Sequence, residues 1–224
     1  MMDAILSVQT TVFPSPKSVM KKDFQQEFQL GQRLIRYTEE AKGIIALPLF
    51  QPRSCRSIIE AVRKSENWRS AMVSRRGTDG ELRSVVDPSH RVADVLYWQH
   101  LKAVARRFNG KMNGILKPLV EHLWGHKLTD HDGTQLVRYS PGGHYIVHSD
   151  VGQRTMNRYY SLVCYLNDDF EGGSTRFPAL DYAVKPQCGK AILFPSRYLH
   201  GGEPVISGQK YILISWITGP IPKD

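Results

Sequence analysis

The chain has 224 residues, of which 41% are hydrophobic, 23% charged and 10% aromatic, long enough for a large buried core and too apolar for a collagen-like, coiled-coil or largely disordered protein. Its net charge of +9 comes from cations interspersed with acids, which argues against a nucleic-acid partner. Three cysteines, Cys55, Cys164 and Cys188, stand far apart with no CxxC pair, which argues against a disulfide scaffold and a cysteine-built zinc site.

The hydrophobic period changes near residue 130. Before it, helical spacing is read at Phe24, Phe28, Leu34 and Ile35, in a second helix capped by Ser54 and carrying Ile58, Ile59 and Val62, in a longer one over 92–105, and over 113–124. This part holds 21 Lys and Arg against 13 Asp and Glu, whereas residues 131–224 hold 9 against 8, so any pull on an anionic partner comes from the first part. After residue 130, β-branched and aromatic runs alternate with glycine- and asparagine-rich turns, and strands are expected at 134–140, 144–150, 159–167, 174–177, 190–194 and 210–217. Many short strands predict a mainly β fold, a jelly roll over 131–224, buttressed by a helix-rich part over 1–130. No linker separates them, so 1–224 reads as one domain. Neither an apolar window of membrane-spanning length nor a secretory pattern at 1–22 is present, and a cytoplasmic protein without a membrane partner is expected.

Within the run at 144–150, His148 and Asp150 are two apart, so on a strand both side chains leave one face. That pair alone is a weak signal. It gains from His200, which follows an apolar strand in the glycine-flanked Leu199-His200-Gly201-Gly202, where no large side chain is expected to crowd the imidazole. Two imidazoles and a carboxylate form a facial triad suited to Fe(II), with zinc or manganese as alternatives. Lys210 opens an otherwise apolar strand and shares a face with Ile212, Ile214 and Trp216. A buried lysine needs a partner, and an anchored dicarboxylate is a natural one. The bland reading is an edge-strand lysine reaching solvent.

Taken together, residues 135–216 resemble the iron(II)- and 2-oxoglutarate-dependent dioxygenases of the prolyl 4-hydroxylase-like branch. The resemblance is carried by Arg138-Tyr139-Ser140-Pro141-Gly142, His148-x-Asp150, Tyr165-Leu166-Asn167-Asp168, Gly172-Gly173-Ser174-Thr175-Arg176-Phe177, Val184-Lys185-Pro186 with Gly189-Lys190-Ala191, Leu199-His200-Gly201-Gly202, and Lys210 with Trp216. Upstream, 49–68 and 86–93 are only loosely similar. The resemblance implies a double-stranded β-helix core and Fe(II) held by His148, Asp150 and His200. It also implies 2-oxoglutarate paired with Lys210 beside Tyr165 and Thr175, with Tyr139 pointing toward the co-substrate or a bound water, dioxygen as oxidant, and Arg158 and Trp216 on the substrate side. Arg158 has an awkward parity: it stands seven residues before Tyr165, so only a bulge or a place before the strand brings it to the pocket. His144 falls outside the triad, as a half-exposed residue near the mouth.

Three functions follow. The preferred one hydroxylates a C–H bond of a small molecule or amino acid while 2-oxoglutarate is converted to succinate. The alternative hydroxylates prolyl or other residues of a peptide or protein. A third, of another class, is a jelly roll that binds metal without oxygenase activity.

Overall fold

Alternation of buried and exposed side chains starts at the second strand of the computed structural model, which describes residues 25–126 and 128–220. Strands β1 (Gln25–Leu30) and β2 (Arg33–Ala41) form an antiparallel hairpin with Leu30 opposite Arg33. Gly31 turns it at φ 58°, a left-handed conformation that costs glycine little. This corrects the helix expected over Phe28, Leu34 and Ile35: Ile35 and Tyr37 are buried while Leu34 and Arg36 are exposed, a period of two. Phe24 lies outside the described residues, as do 1–22.

After β3 (Ile44–Pro48), helix α1 (Pro52–Val62) buries Cys55, Ile58 and Val62. Its N-cap is Gln51, followed by Pro52, whose fixed φ and missing N–H suit the first helical position, so Ser54 sits inside the first turn and is not the cap. Strands β4 (Arg69–Ser70), β5 (Val73–Arg76), β6 (Leu82–Val85), β7 (Arg91–Val92) and β8 (Asp94–Tyr97) come next, then α2 (Lys102–Lys111). The single helix expected over 92–105 is therefore divided. Val95 and Leu96 are both buried because the two faces of β8 are covered by different cores, Leu96 by the helix side and Val95 by the opposite one, a tertiary demand that local periodicity does not carry. The helix expected over 113–124 is present as a π turn (Met112–Leu116) leading into α3 (Lys117–Trp124). Pro118 cannot donate to the carbonyl of Gly114, and the wider turn falls where its ring would clash. The helices thus lie mid-chain, and the described residues before 130 hold eight strands beside three helices, contrary to a helix-rich N-terminal part.

The second half is strands: β9 (His131–Tyr139), β10 (His144–His148), β11 (Arg158–Tyr165), β12 (Glu171–Gly172), β13 (Thr175–Phe177) and β14 (Tyr182–Val184). They are followed by β15 (Lys190–Pro195), β16 (His200–Gly202), β17 (Val205–Ser207) and β18 (Lys210–Thr218). All six expected runs contain a strand; β12, β14, β16 and β17 are too short to show a period. The mainly β expectation holds. Two antiparallel sheets dominate, a nine-stranded one in the order β1-β2-β3-β15-β11-β18-β9-β8-β4 and a five-stranded one in the order β14-β13-β16-β10-β7.

Residue parity on β11 and β18 builds two cores from one sheet. Tyr160, Leu162 and Cys164 of β11, with Tyr211, Leu213 and Ile217 of β18, pack toward Phe108, Leu116, Leu119 and the other helical side chains. Val163 and Tyr165, with Ile212, face the other way, against Phe177, Val184 and Val205. Each fully buried Leu, Val or Phe contributes roughly 1.5–3 kcal/mol. The polar residues of the second face, Ser161 and Lys210, therefore sit in a rigid apolar frame.

Candidate metal centre and pocket

Strands β10 and β16 run antiparallel with His148 directly opposite His200. Their close approach needs Gly201: a Cβ there would meet the Tyr145 carbonyl oxygen at 3.0 Å and the Val147 nitrogen at 3.1 Å. Asp150 follows β10, its backbone N–H donating to the Ser196 carbonyl at 3.0 Å. The donor atoms of His148, Asp150 and His200 all lie within 4.8 Å of one another. Each imidazole Nε2 is 3.5 Å from an Asp150 oxygen, one from Oδ1 and the other from Oδ2.

The surroundings fix the chemical state of all three. His148 Nδ1 donates to the Ile146 carbonyl at 2.8 Å and His200 Nδ1 to the Tyr198 carbonyl at 2.9 Å. Carbonyls accept only, so each ring keeps its lone pair at Nε2, aimed at the common centre. Burial pushes the His200 imidazole toward its neutral form, the one that ligates. The same burial would raise the Asp150 carboxyl, but the two imidazoles, whenever they carry a second proton, and the Ser161 hydroxyl outweigh it and hold the carboxyl below the usual range, so Asp150 stays ionised. Ser161 Oγ donates to Asp150 Oδ2 at 2.6 Å and stands 2.9 Å from Ser196 Oγ, which orients the carboxylate. Two neutral imidazoles and a carboxylate, unshared with any other cation, fit a divalent metal with three further positions open. The expected roominess around His200 is not found: the rings of Phe194 and Phe177 lie 4.7 and 5.9 Å away and clamp the imidazole.

A cavity of about 330 Å³ opens from this centre. Lys210 lies in its wall, 2% exposed, with Nζ donating to the Gly173 carbonyl at 2.7 Å. Among the described residues no carboxylate comes within ion-pair distance of it, and burial pushes its pKa down to about 7, a shift that Glu203 opposes. The ammonium lies 5.0 Å from the Tyr139 ring centre and 5.5 Å from that of Tyr165. Tyr165, whose hydroxyl burial pushes up, donates to Thr175 Oγ1 at 2.6 Å. Ile212, Ile214 and Trp216 line the same cavity, as the strand parity of Lys210 requires.

Arg158 reaches this cavity because the β11–β18 register shifts between Arg158 and Tyr160. Its Nε donates to Asp132 Oδ2 at 2.6 Å, and its guanidinium carbon lies 3.7 Å over the Trp216 ring. His144 is half-buried outside the triad, Nδ1 donating to the Gly142 carbonyl at 3.0 Å.

Sequence reasoning missed Tyr145, Arg91 and Ser161. Tyr145 stacks on His148 at 3.6 Å although it stands three residues away, because β10 also shifts register between them. Arg91 lies 4.7 Å over the Tyr145 ring and is delivered by β7, a two-residue strand with no pattern of its own. Ser161 was legible as a polar residue at even spacing from Tyr165 in an apolar strand.

Residues 134–218 match the family described as the 2OG-Fe(II) oxygenase superfamily. This segment belongs to that superfamily. Its description names the metal, Fe(II), and the co-substrate, 2-oxoglutarate, and the triad is the donor set for that metal. Prolyl 4-hydroxylase 1 of Arabidopsis thaliana is 33% identical over 111 residues, covering 37% of this chain and 39% of that protein. The chain spans about half or less of the length of the curated relatives it matches. Among solved structures, a prolyl hydroxylase of Trichoplax adhaerens in complex with a hypoxia inducible factor peptide superposes with TM-score 0.63 at 16% identity, covering 79% of this chain and 83% of that one. A viral collagen prolyl hydroxylase of Paramecium Bursaria Chlorella virus-1 in its 2OG complex gives 0.56 at 22% identity, with 80% and 97% covered. The oxygenases share this mainly β fold. No described helix is long and apolar enough to cross a membrane.

Proposed function

We propose that the protein is an Fe(II)- and 2-oxoglutarate-dependent hydroxylase acting on a prolyl or other residue within a peptide chain. One observation carries the class: a His-Asp-His donor set shares a cavity with a buried lysine that, among the described residues, has no carboxylate within ion-pair distance. The peptide substrate is favoured by the relatives, which are named as prolyl hydroxylases, one of them solved with a peptide. These names favour the peptide alternative over the small-molecule or amino-acid substrate preferred from sequence.

When bound, Fe(II) would supply the oxidising chemistry by which one oxygen atom of dioxygen enters a substrate C–H bond as hydroxyl and the other enters 2-oxoglutarate, which leaves as succinate and carbon dioxide. His148, Asp150 and His200 hold the metal from one side, and the three carbonyl and hydroxyl partners behind them keep that geometry before metal arrives. Lys210 pairs with the far carboxylate of the keto diacid, and that pairing restores the charge that burial otherwise suppresses. Thr175, its oxygen already accepting from Tyr165, keeps its own proton to donate to the same carboxylate. Tyr139 closes the wall beside Lys210. The flat Trp216 indole, capped by Arg158, offers an apolar surface on which a substrate ring can rest near the metal.

The test is succinate release by the Fe(II)-loaded protein with proline-containing peptides, free amino acids and no substrate. Peptide-stimulated release is expected, lost in His148→Ala and Asp150→Ala. Stimulation by amino acids alone would restore the small-molecule reading. Metal binding with no 2-oxoglutarate turnover under any condition would point to the inactive binding module.

A further inference from the structure

Arg158 has two sides. One lines the cavity of the metal centre; the other lines a second cleft of about 380 Å³, formed with His126, Val151, Met156, Tyr159, Tyr160 and Arg197. Arg158 lines both cavities, and Val151 of the second adjoins Asp150 of the first in sequence. The floor of the second is a fixed aromatic platform. Trp124 stacks on Tyr160 at 4.5 Å, His126 lies edge-on to Tyr159 at 5.5 Å, and His126 Nδ1 stands 2.6 Å from the Tyr160 hydroxyl.

The rim carries two guanidiniums and no acid. Arg197 is exposed and, among the described residues, takes part in no hydrogen bond or ion pair. Arg158 is pinned through Nε to Asp132 and through its face to Trp216, which leaves its Nη atoms free to donate. Half-exposed Met156 adds a flexible apolar edge. One guanidinium without an ion pair among the described residues, Arg197, beside a second already paired with Asp132, over an aromatic floor, suits a carboxylate carried on a short apolar stem.

We propose that this cleft is a second substrate subsite, taking an acidic side chain of the same peptide whose target residue lies at the metal centre. The proposal rests on the peptide-hydroxylase reading and extends it to a substrate requirement. An extended chain advances about 3.3 Å per residue, so stepping the acidic residue through successive offsets from the target scans its reach into the cleft. Continuity through Arg158 is what ties the occupant to the substrate chain rather than to a free anion.

The experiment uses full-length Mn(II)-loaded protein and fluorescent proline peptides carrying Glu or Gln at offsets of two to four on either side of the proline, read by anisotropy, with KM and kcat measured on the Fe(II) form. At one offset the Glu peptide is expected to bind roughly five- to tenfold tighter than its Gln partner and to show a correspondingly lower KM at equal kcat. Arg197→Glu should abolish that preference while Arg197→Lys keeps most of it, a coupling that general loss of structure does not produce. Equal binding of Glu and Gln peptides at every offset, or a preference that survives Arg197→Glu, overturns the subsite. A protein that binds no peptide at all yet releases succinate with a small molecule overturns the parent reading first, and the two failures are told apart by that turnover.

Discussion

Lys210 makes the proposed co-substrate binding depend on pH in a direction that can be worked out. In the free protein the ammonium is buried and donates to the Gly173 carbonyl, and burial pushes its pKa down to about 7. A dicarboxylate in the cavity stabilises the charged form, so the bound-state pKa rises toward or beyond the ordinary lysine value. Below pH 7 the lysine is charged before and after binding, and affinity is flat. Above pH 7 binding must first take up a proton, and affinity falls with a slope approaching tenfold per pH unit, about 1.4 kcal/mol each. At pH 8 the loss is about tenfold and at pH 8.5 about thirtyfold. Both carboxylates of 2-oxoglutarate are ionised throughout, so the ligand contributes no slope.

Calorimetric titration of 2-oxoglutarate into anaerobic protein saturated with Mn(II), between pH 6.5 and 8.5, measures this directly. Repeating it in buffers of different ionisation enthalpy counts the protons, and uptake approaching one is expected at the alkaline end. Lys210→Arg keeps a charge that does not titrate in this range, so its affinity should be weaker through altered geometry yet nearly independent of pH. A wild-type affinity that stays level with no proton uptake would falsify the assignment of Lys210 as the carboxylate partner; a slope that persists in Lys210→Arg would assign it to another group.

Other consequences follow from the same coordinates. Ser161→Ala removes the hydroxyl that orients Asp150, and metal affinity, read by competition with a chelator, should drop about tenfold; an unchanged affinity means the strand alone fixes the carboxylate. Gly201→Ala forces β16 from β10 through contacts of 3.0 and 3.1 Å with backbone atoms, so metal binding should weaken and the melting temperature fall by roughly 2–4 °C per kcal/mol lost, and normal values for both would show that the strands can separate without disturbing the two imidazoles. Asp132→Asn weakens the charge-assisted anchor of Arg158; peptide KM should rise several-fold with kcat nearly unchanged, whereas an equal fall in kcat would place Arg158 nearer the reacting atoms.

How much was legible beforehand depended on where the determining contact lay in the chain. The β10 triad pair and the lysine strand were readable because strand parity is a local property: His148 and Asp150 converge, and Lys210 shares its face with Trp216, whatever else the chain does. The hairpin β1–β2 departs from the expected helix because Phe28, Leu34 and Ile35 fall at helical spacing in the sequence, whereas Phe28 pairs across the hairpin with Ile35 and Leu34 is exposed. What decides between them is that β3 pairs with β15, about 140 residues later, and draws β2 into the sheet. The same long reach split the expected helix over 92–105, since β8 is held by β9. Such pairings leave no mark on a single local window.

The register shifts set the remaining limit, and they fall where chemistry is expected. Parity predicted that Arg158 and Tyr165 point to opposite faces, and in a regular strand they would. One extra residue between Arg158 and Tyr160 turns the guanidinium onto Trp216, while the shift between Tyr145 and His148 lays a phenol ring flat against a metal ligand. Bulges re-aim single side chains while leaving the rest of a ladder intact, so they allow two strands to remain rigid through the core and still place an odd-numbered residue at the pocket. The apolar frame and the pocket therefore obey different rules along the same strands. Tyr160, Leu162 and Cys164 keep strict alternation because packing against the helices requires it, and the departure from alternation at Arg158 is itself a sign that this position serves the cavity rather than the core.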